Sequence, residues 1–245
     1  MPVLDYHGFK NVVNRYLLRR AGGEKRPVFF DIGETRPELR TLERAWSEIR
    51  AEVDALLAER VAMPRYHDVN GPSREISSTT EGRWNVFLLE LLGHRPERNR
   101  ARCPATCAAL EKIPTMVQAF FSVLEAGKSI PLHEGPYLGY LRYHLGVRVP
   151  AENPPTIRVA GQPYTWKDGE GMIFDDSWPH EVANESREPR VVLIVDIRRP
   201  LPTLADWVNR AVLRLAFAPF YGRGVVRKAR NYSDTGETPP PPAFR

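Results

Sequence analysis

From Gln118 to Ile197 the chain consists of short β-forming runs separated by turn-rich linkers, and few architectures accept such a pattern. The runs are 119–124, 137–149, 156–159, 164–166, 171–174, 180–183 and 190–197. Between them stand E-A-G-K, P-A-E-N-P-P, A-G-Q-P, K-D-G-E and N-E-S-R-E-P, rich in residues that turns require. Many short strands joined by turns predict a sandwich or a barrel. Upstream, Trp84 alternates with Val86 and Leu88, which predicts one more strand.

Helical patterns are grouped before and after this region. Residues 9–20 place Phe9, Val12, Val13, Tyr16 and Leu17 on one helical face, ended by Gly22 and Gly23. In 37–61, Leu39, Leu42, Trp46, Ile49, Val53 and Leu56 recur at intervals of three and four. That stripe predicts one continuous helix on the back of the sheet, with Pro37 in its first turn and Thr35 as its cap. Its other side, including Glu43, Arg50 and Glu52, reads as a solvated face. Residues 28–32 read as a short extended segment, 63–82 as irregular, 95–107 as turn-rich and 108–113 as a short helix.

The 245 residues suffice for one domain with a substantial core. We expect it to span 1–232, with a helical part at 1–62, a β core at 84–200 and a C-terminal helix at 203–232. A flexible proline-rich tail, 233–245, would follow. The net charge of +5 is local, since 206–232 holds six basic residues and only Asp206 as acid. Such a tail points to a local anionic partner, and no nucleic-acid partner is expected. The absence of a long apolar run or signal-like start predicts a cytoplasmic location, with the tail 206–232 available for peripheral contact at the anionic inner-membrane surface. Cys103 and Cys107 lack further ligands at zinc-like spacing and are assigned no chemistry.

Two histidines, His133 and His180, stand at the edges of predicted strands. Paired imidazoles can hold iron, zinc or copper. A carboxylate sharing the face of His133 would have to stand at 135, where the chain has Gly135; Glu134 should point away. Arg142 and His144, two apart, share one face of their strand, while Leu141, Tyr143 and Leu145 alternate to the other. Asp175 and Asp176 read as turn residues before the strand of His180, and Asp196 as a structural carboxylate paired with a base or a backbone donor.

In order along the chain stand H-x-G-P, L-R-x-H-L-G, W-x-x-G, F-D-D-S-x-x-H-E-V and R-x-x-x-I-V-D. This series resembles the aspartyl/asparaginyl β-hydroxylases, densely from about Trp84 to Pro200. The resemblance implies a double-stranded β-helix (cupin-like jelly roll) core, mainly β, and an iron(II)- and 2-oxoglutarate-dependent dioxygenase. It implies His133 and His180 as metal ligands and catalytic centre, with glycine at 135 and water completing the coordination. It implies Trp84, Ser122, Arg142, Tyr143, His144 and Arg190 around 2-oxoglutarate, Arg190 clamping the distal carboxylate with Ser122 beside it. Dioxygen would be consumed, 2-oxoglutarate would leave as succinate and carbon dioxide, and an unactivated C–H bond would be hydroxylated.

The resemblance covers two substrate classes: Asp or Asn side chains of peptides, and acyl chains of bacterial lipids such as lipid A or ornithine lipids. H-E-G-P is similar to the peptide group, which comes first in expectation. Arg142–His144 as R-Y-H, with Tyr140 in place of a second arginine, is similar to the lipid group. Tyr140 and Arg142 are therefore the substrate-region candidates. A non-catalytic cupin-like domain that binds a carboxylate is the reading from another class.

Overall fold

Period-two alternation sends the strand side chains into two apolar layers, one on each side of a six-stranded sheet. The computed structural model describes residues 6–69, 74–78 and 80–235. Its strands are β1 (Phe29–Phe30), β2 (Trp84–Leu91), β3 (Met116–Leu124), β4 (Ile130–His133), β5 (Tyr140–Arg148), β6 (Thr156–Val159), β7 (Gln162–Thr165), β8 (Gly171–Phe174), β9 (His180–Ala183) and β10 (Arg190–Arg198). The larger sheet runs β1-β8-β5-β10-β3-β2 and the smaller β4-β9-β6-β7, with antiparallel neighbours throughout. This is the expected double-stranded β-helix.

On β10, Val191, Leu193, Val195 and Ile197 face the helices, while Val192 and Ile194 face the jelly-roll interior with Trp84, Phe120, Trp166 and Phe174. Each fully buried Val or Leu contributes roughly 1.5–3 kcal/mol. Arg190 and Asp196 have the parity of Val192, so the alternation that builds the core also turns polar groups inward.

The predicted helix at 37–61 is divided. A 3-10 turn at Pro37–Leu39 and a helix at Arg40–Arg44 precede Ala45, whose φ of −93° and ψ of 12° turn the chain before the helix Trp46–Ala58. Each half is tied to a different strand end. Glu43 accepts from Gly171 N at 3.0 Å, and Trp46 Nε1 donates to Val147 O at 3.3 Å. Glu43 and Glu52 are therefore more than solvated charges; Glu52 accepts from Ala105 N at 2.6 Å and Thr106 N at 3.0 Å, capping the helix Pro104–Leu110. Thr35 does not cap the stretch that starts at Pro37: Arg36 stands before Pro37 without a side-chain cap, and Thr35 ends a separate short helix, Ile32–Thr35, which Asp31 caps by accepting from Glu34 N at 2.9 Å. Helices at Tyr66–Val69, Arg74–Ser77 and Glu97–Ala101 occupy stretches read as irregular or turn-rich.

The first helix, Tyr6–Arg20, ends at Gly22 and Gly23, whose φ values of 106° and 62° suit glycine. Val13 and Leu17 are buried against Val212, Leu213 and Phe217 of the C-terminal segment, whereas Val12 is exposed. That segment comprises a helix Thr203–Ala211, a π-helix Val212–Gly222 with Pro219 inside it, and a helix Arg223–Thr235. Residues 233–235, expected in a flexible tail, continue this last helix. The rest of that expected tail, 236–245, lies outside the described residues.

Candidate active site

β4 and β9 pair so that His133 lies opposite His180, with ring centroids 4.1 Å apart. Each ring places Nδ1 beside the carbonyl oxygen two residues earlier, His133 to Pro131 at 2.8 Å and His180 to Trp178 at 2.9 Å. A carbonyl only accepts, so Nδ1 carries the proton and Nε2 keeps its lone pair. Burial lowers the pKa of both rings; that of His180 falls to about 3, with His133 the next cause. Two neutral imidazoles oriented by backbone carbonyls fit a divalent transition metal. Among the described residues no third His, Cys, Asp or Glu joins them as a metal-holding group.

The reason lies at Gly135. Glu134 is exposed, as alternation predicts. Gly135 N donates to Asp176 O at 2.7 Å, and a Cβ at 135 would collide with the Asp176 carboxyl group. A side chain at 135, carboxylate or other, is excluded while Asp176 stands there.

Asp176 is thus more than the turn residue expected. It is buried, accepts from Tyr140 OH at 3.1 Å and pairs with Arg142 Nη1 at 3.1 Å. Burial pushes its pKa up to about 7 against the opposing pull of Arg142. Arg142 also forks onto Asp196, with Nε to Oδ1 at 2.7 Å and Nη2 to Oδ2 at 2.9 Å. Every nitrogen of Arg142 already meets a carboxylate, and Asp196 has the structural pairing expected of it. Asp175 does form the expected turn, accepting from Ser177 N at 3.1 Å, and also binds Arg26 at 3.0 Å and Arg199 at 2.6 Å.

Arg190 presents the opposite case. It is buried in the jelly-roll interior, its Nη2 donates to Ser122 Oγ at 3.2 Å, and its guanidinium carbon lies 4.5 Å from the centre of the Trp166 ring. Ser122 Oγ also accepts from Trp84 Nε1 at 2.9 Å, and Tyr66 stacks on Trp84 at 4.2 Å. Nε of Arg190 has no partner, no acid is paired with this residue among those described, and burial alone lowers its pKa to about 9. His144 lies between Trp166, at 5.8 Å, and Phe174, at 5.0 Å, with both ring nitrogens unpartnered, as is Trp166 Nε1. Burial, then Arg142, Arg190 and His180, hold the His144 pKa well below its ordinary value. A buried cation among unpaired donors fits an anionic ligand, because leaving those groups bare is costly.

The predicted residues therefore fall into three groups. His133 and His180 form the pair; Trp84, Ser122, His144 and Arg190 line the interior beside it; Tyr140 and Arg142 are tied to Asp176. Tyr143 is a correction: it belongs to the opposite layer, under the helices, with Leu141 and Leu145, because odd positions of β5 face that way. Two contributors had no site role from sequence. Trp166 stood in the W-x-x-G motif without a partner to give it meaning, and Asp176 was masked by the turn-like F-D-D-S.

Residues 43–200 match the aspartyl/asparaginyl beta-hydroxylase family. An ornithine lipid ester-linked acyl 2-hydroxylase of Rhizobium tropici is 41% identical over 201 residues, covering 81% of this chain and 70% of that protein. The human aspartyl/asparaginyl beta-hydroxylase is 35% identical over 167 residues, 66% of this chain but 21% of that protein. The human aspartate beta-hydroxylase domain-containing protein 2 is 31% identical over 226 residues, 84% of this chain and 58% of that protein. A Pseudomonas putida prolyl-4-hydroxylase structure overlaps 66% of this chain and 87% of its own at 14% identity, with a TM-score of 0.40, too loose to weigh. By the family match and these identities, the chain belongs to the aspartyl/asparaginyl beta-hydroxylase family.

Proposed function

We propose that this chain is an iron(II)- and 2-oxoglutarate-dependent hydroxylase acting on the acyl chain of a membrane lipid. The observation that carries the cofactor assignment is Arg190, a buried guanidinium with no carboxylate partner among the described residues, on the interior wall where both it and His180 act on His144. Its planar fork suits one carboxylate of 2-oxoglutarate, with Ser122 as a second donor and Trp166 as a platform. His133 and His180 would hold the iron through Nε2. Together with 2-oxoglutarate and dioxygen, the iron supplies an oxidant strong enough for an unactivated C–H bond, succinate and carbon dioxide being released. The chain's own part is to orient both imidazoles, neutralise the cosubstrate and exclude water with the aromatic wall of Trp84, Trp166 and Phe174.

One observation favours a lipid over a peptidyl Asp or Asn, and a second removes a feature that pointed the other way. Arg142 is saturated by Asp196 and Asp176, and Tyr140 donates to Asp176, so neither offers a spare charge to an acidic side chain. Gly135, which as a sequence feature favours the peptide group, is required by the position of Asp176 whatever the substrate. The relative from Rhizobium tropici, named for acyl 2-hydroxylation of ornithine lipid, is consistent with this choice.

The test is turnover by the purified chain with ferrous iron, 2-oxoglutarate and either a lipid extract or Asp/Asn-containing peptides. Succinate formation with one oxygen added to an acyl chain is expected, and loss of both in His133→Ala and His180→Ala. Oxygen added to the peptide instead rejects the lipid assignment. Failure to form succinate under any condition favours a non-catalytic carboxylate-binding domain.

A further inference from the structure

The C-terminal segment has two finished faces. Inward, Ala205, Asn209, Leu213 and Phe217 are buried on the domain, and Asn209 is locked by Tyr137 OH, which donates to its Oδ1 at 2.7 Å, and by Gly139 O, which accepts from its Nδ2 at 2.7 Å. The helix is therefore docked. Outward, Leu204, Trp207 and Leu215 are 70%, 67% and 71% exposed, with Ala211 exposed between them. Positions 204, 207, 211 and 215 follow helical spacing, so they form one stripe.

Cations stand beside the stripe and further along the same segment. Arg210 and Arg214 flank it, and Arg223, Arg227 and Lys228 are exposed on the helix that follows. Arg210 shares Asp206 with Arg198, at 2.8 and 2.9 Å, while the other four have no acidic partner among the described residues. A surface leucine is ordinary, but an aligned Leu-Trp-Leu stripe flanked by Arg214 and followed along the same segment by three more exposed cations without an acidic partner among the described residues is what a bilayer interface with anionic headgroups stabilises. No helix among the described residues is long and apolar enough to cross a membrane.

We propose that this outer face docks the protein on an anionic lipid bilayer, with Leu204, Trp207 and Leu215 entering the headgroup region and the cations pairing with anionic lipids. The proposal goes beyond the hydroxylase reading and does not rest on it. Charge complementarity selects the bilayer over a second copy of this chain, which would bring the same cations together.

The experiment is co-sedimentation of the full chain with vesicles of phosphatidylcholine alone or mixed with phosphatidylglycerol. Binding is expected to the mixed vesicles and to weaken as salt rises. Leu204→Ser with Leu215→Ser should lower partitioning about tenfold or more. Arg223→Gln, Arg227→Gln and Lys228→Gln together should lower it by about fivefold per charge. Both sets replace exposed side chains, so iron-dependent succinate formation measured without vesicles should match the parent. Absence of binding to mixed vesicles, or equal binding by parent and variants, overturns the proposal. A concentration-dependent dimer abolished by the two serine substitutions also overturns it, assigning the stripe to a second copy. Vesicle binding without any succinate formation leaves this surface standing and removes only the hydroxylase reading.

Discussion

The carboxyl group of Asp176 occupies the space that a Cβ on Gly135 would need, while Gly135 N donates to the Asp176 carbonyl at 2.7 Å. The two residues are 41 positions apart in the chain (176 − 135) and act as one fitting.

Gly135→Ala should therefore destabilise the protein by about 1–3 kcal/mol through overpacking in a rigid site. Adding Asp176→Gly should recover part of that loss, because the clash is shared. A double-mutant cycle by denaturant unfolding checks the coupling, and simple additivity of the two effects would falsify the interlock.

Arg190 sets function against stability. Arg190→Met should raise the stability of the ligand-free protein, by about 1–4 kcal/mol, because it removes a buried charge that no acid among the described residues neutralises. The same change should abolish the rise in melting temperature caused by 2-oxoglutarate. A variant that loses stability yet keeps the ligand-induced shift would contradict the role given to this guanidinium.

Acid should unfold the metal-free protein from the histidines upward. His133, His144 and His180 all have folded pKa values below the ordinary 6.5, that of His180 about 3 and that of His144 well below 6.5. A lowered folded pKa means that the unfolded chain binds the proton first. Their contribution is complete above pH 6.5 and is lost as pH falls from 6.5 towards 3. Each titrating ring steepens the decline by up to about 1.4 kcal/mol per pH unit. His144→Phe should flatten the stability profile below pH 6.5 by about one ring; an unchanged slope would show that His144 titrates normally.

Both thiols should resist alkylation in the native state. Cys103 and Cys107 are buried, and desolvation raises both pKa values, so the reactive thiolate is scarce. Labelling by iodoacetamide at neutral pH should require denaturation; rapid native labelling of either would show a path that the fold does not provide.

Much of the site is legible in sequence because alternation is a local rule. The strands 156–159, 171–174 and 180–183 have the bounds expected of them. The same parity places Arg142 with His144 and turns Glu134 outward. It also shows why Tyr143 is wrong for the pocket, since a residue between Arg142 and His144 must face the helices. The Asp176–Gly135 fitting and the Trp166 platform under Arg190 were not legible, because both join residues brought together only by the closed fold. The division at Ala45 escaped for a related reason. Its apolar spacing is continuous, and only the anchors at Gly171 and Val147 turn the two halves apart.

The bond between Tyr137 and Asn209 has a consequence for where this protein can be cut. Residues 43–200 contain every side chain assigned to the iron and the cosubstrate. Yet Tyr137 and Tyr140, which lie between the His133 strand and Arg142, are covered by Val13, Leu17, Leu213 and Phe217 from outside that range. A fragment trimmed to 43–200 would bare this apolar seam and free the segment that carries Gly135 past Asp176. The folding unit is longer than the chemical one, and its two ends close over the active-site loop as a clasp.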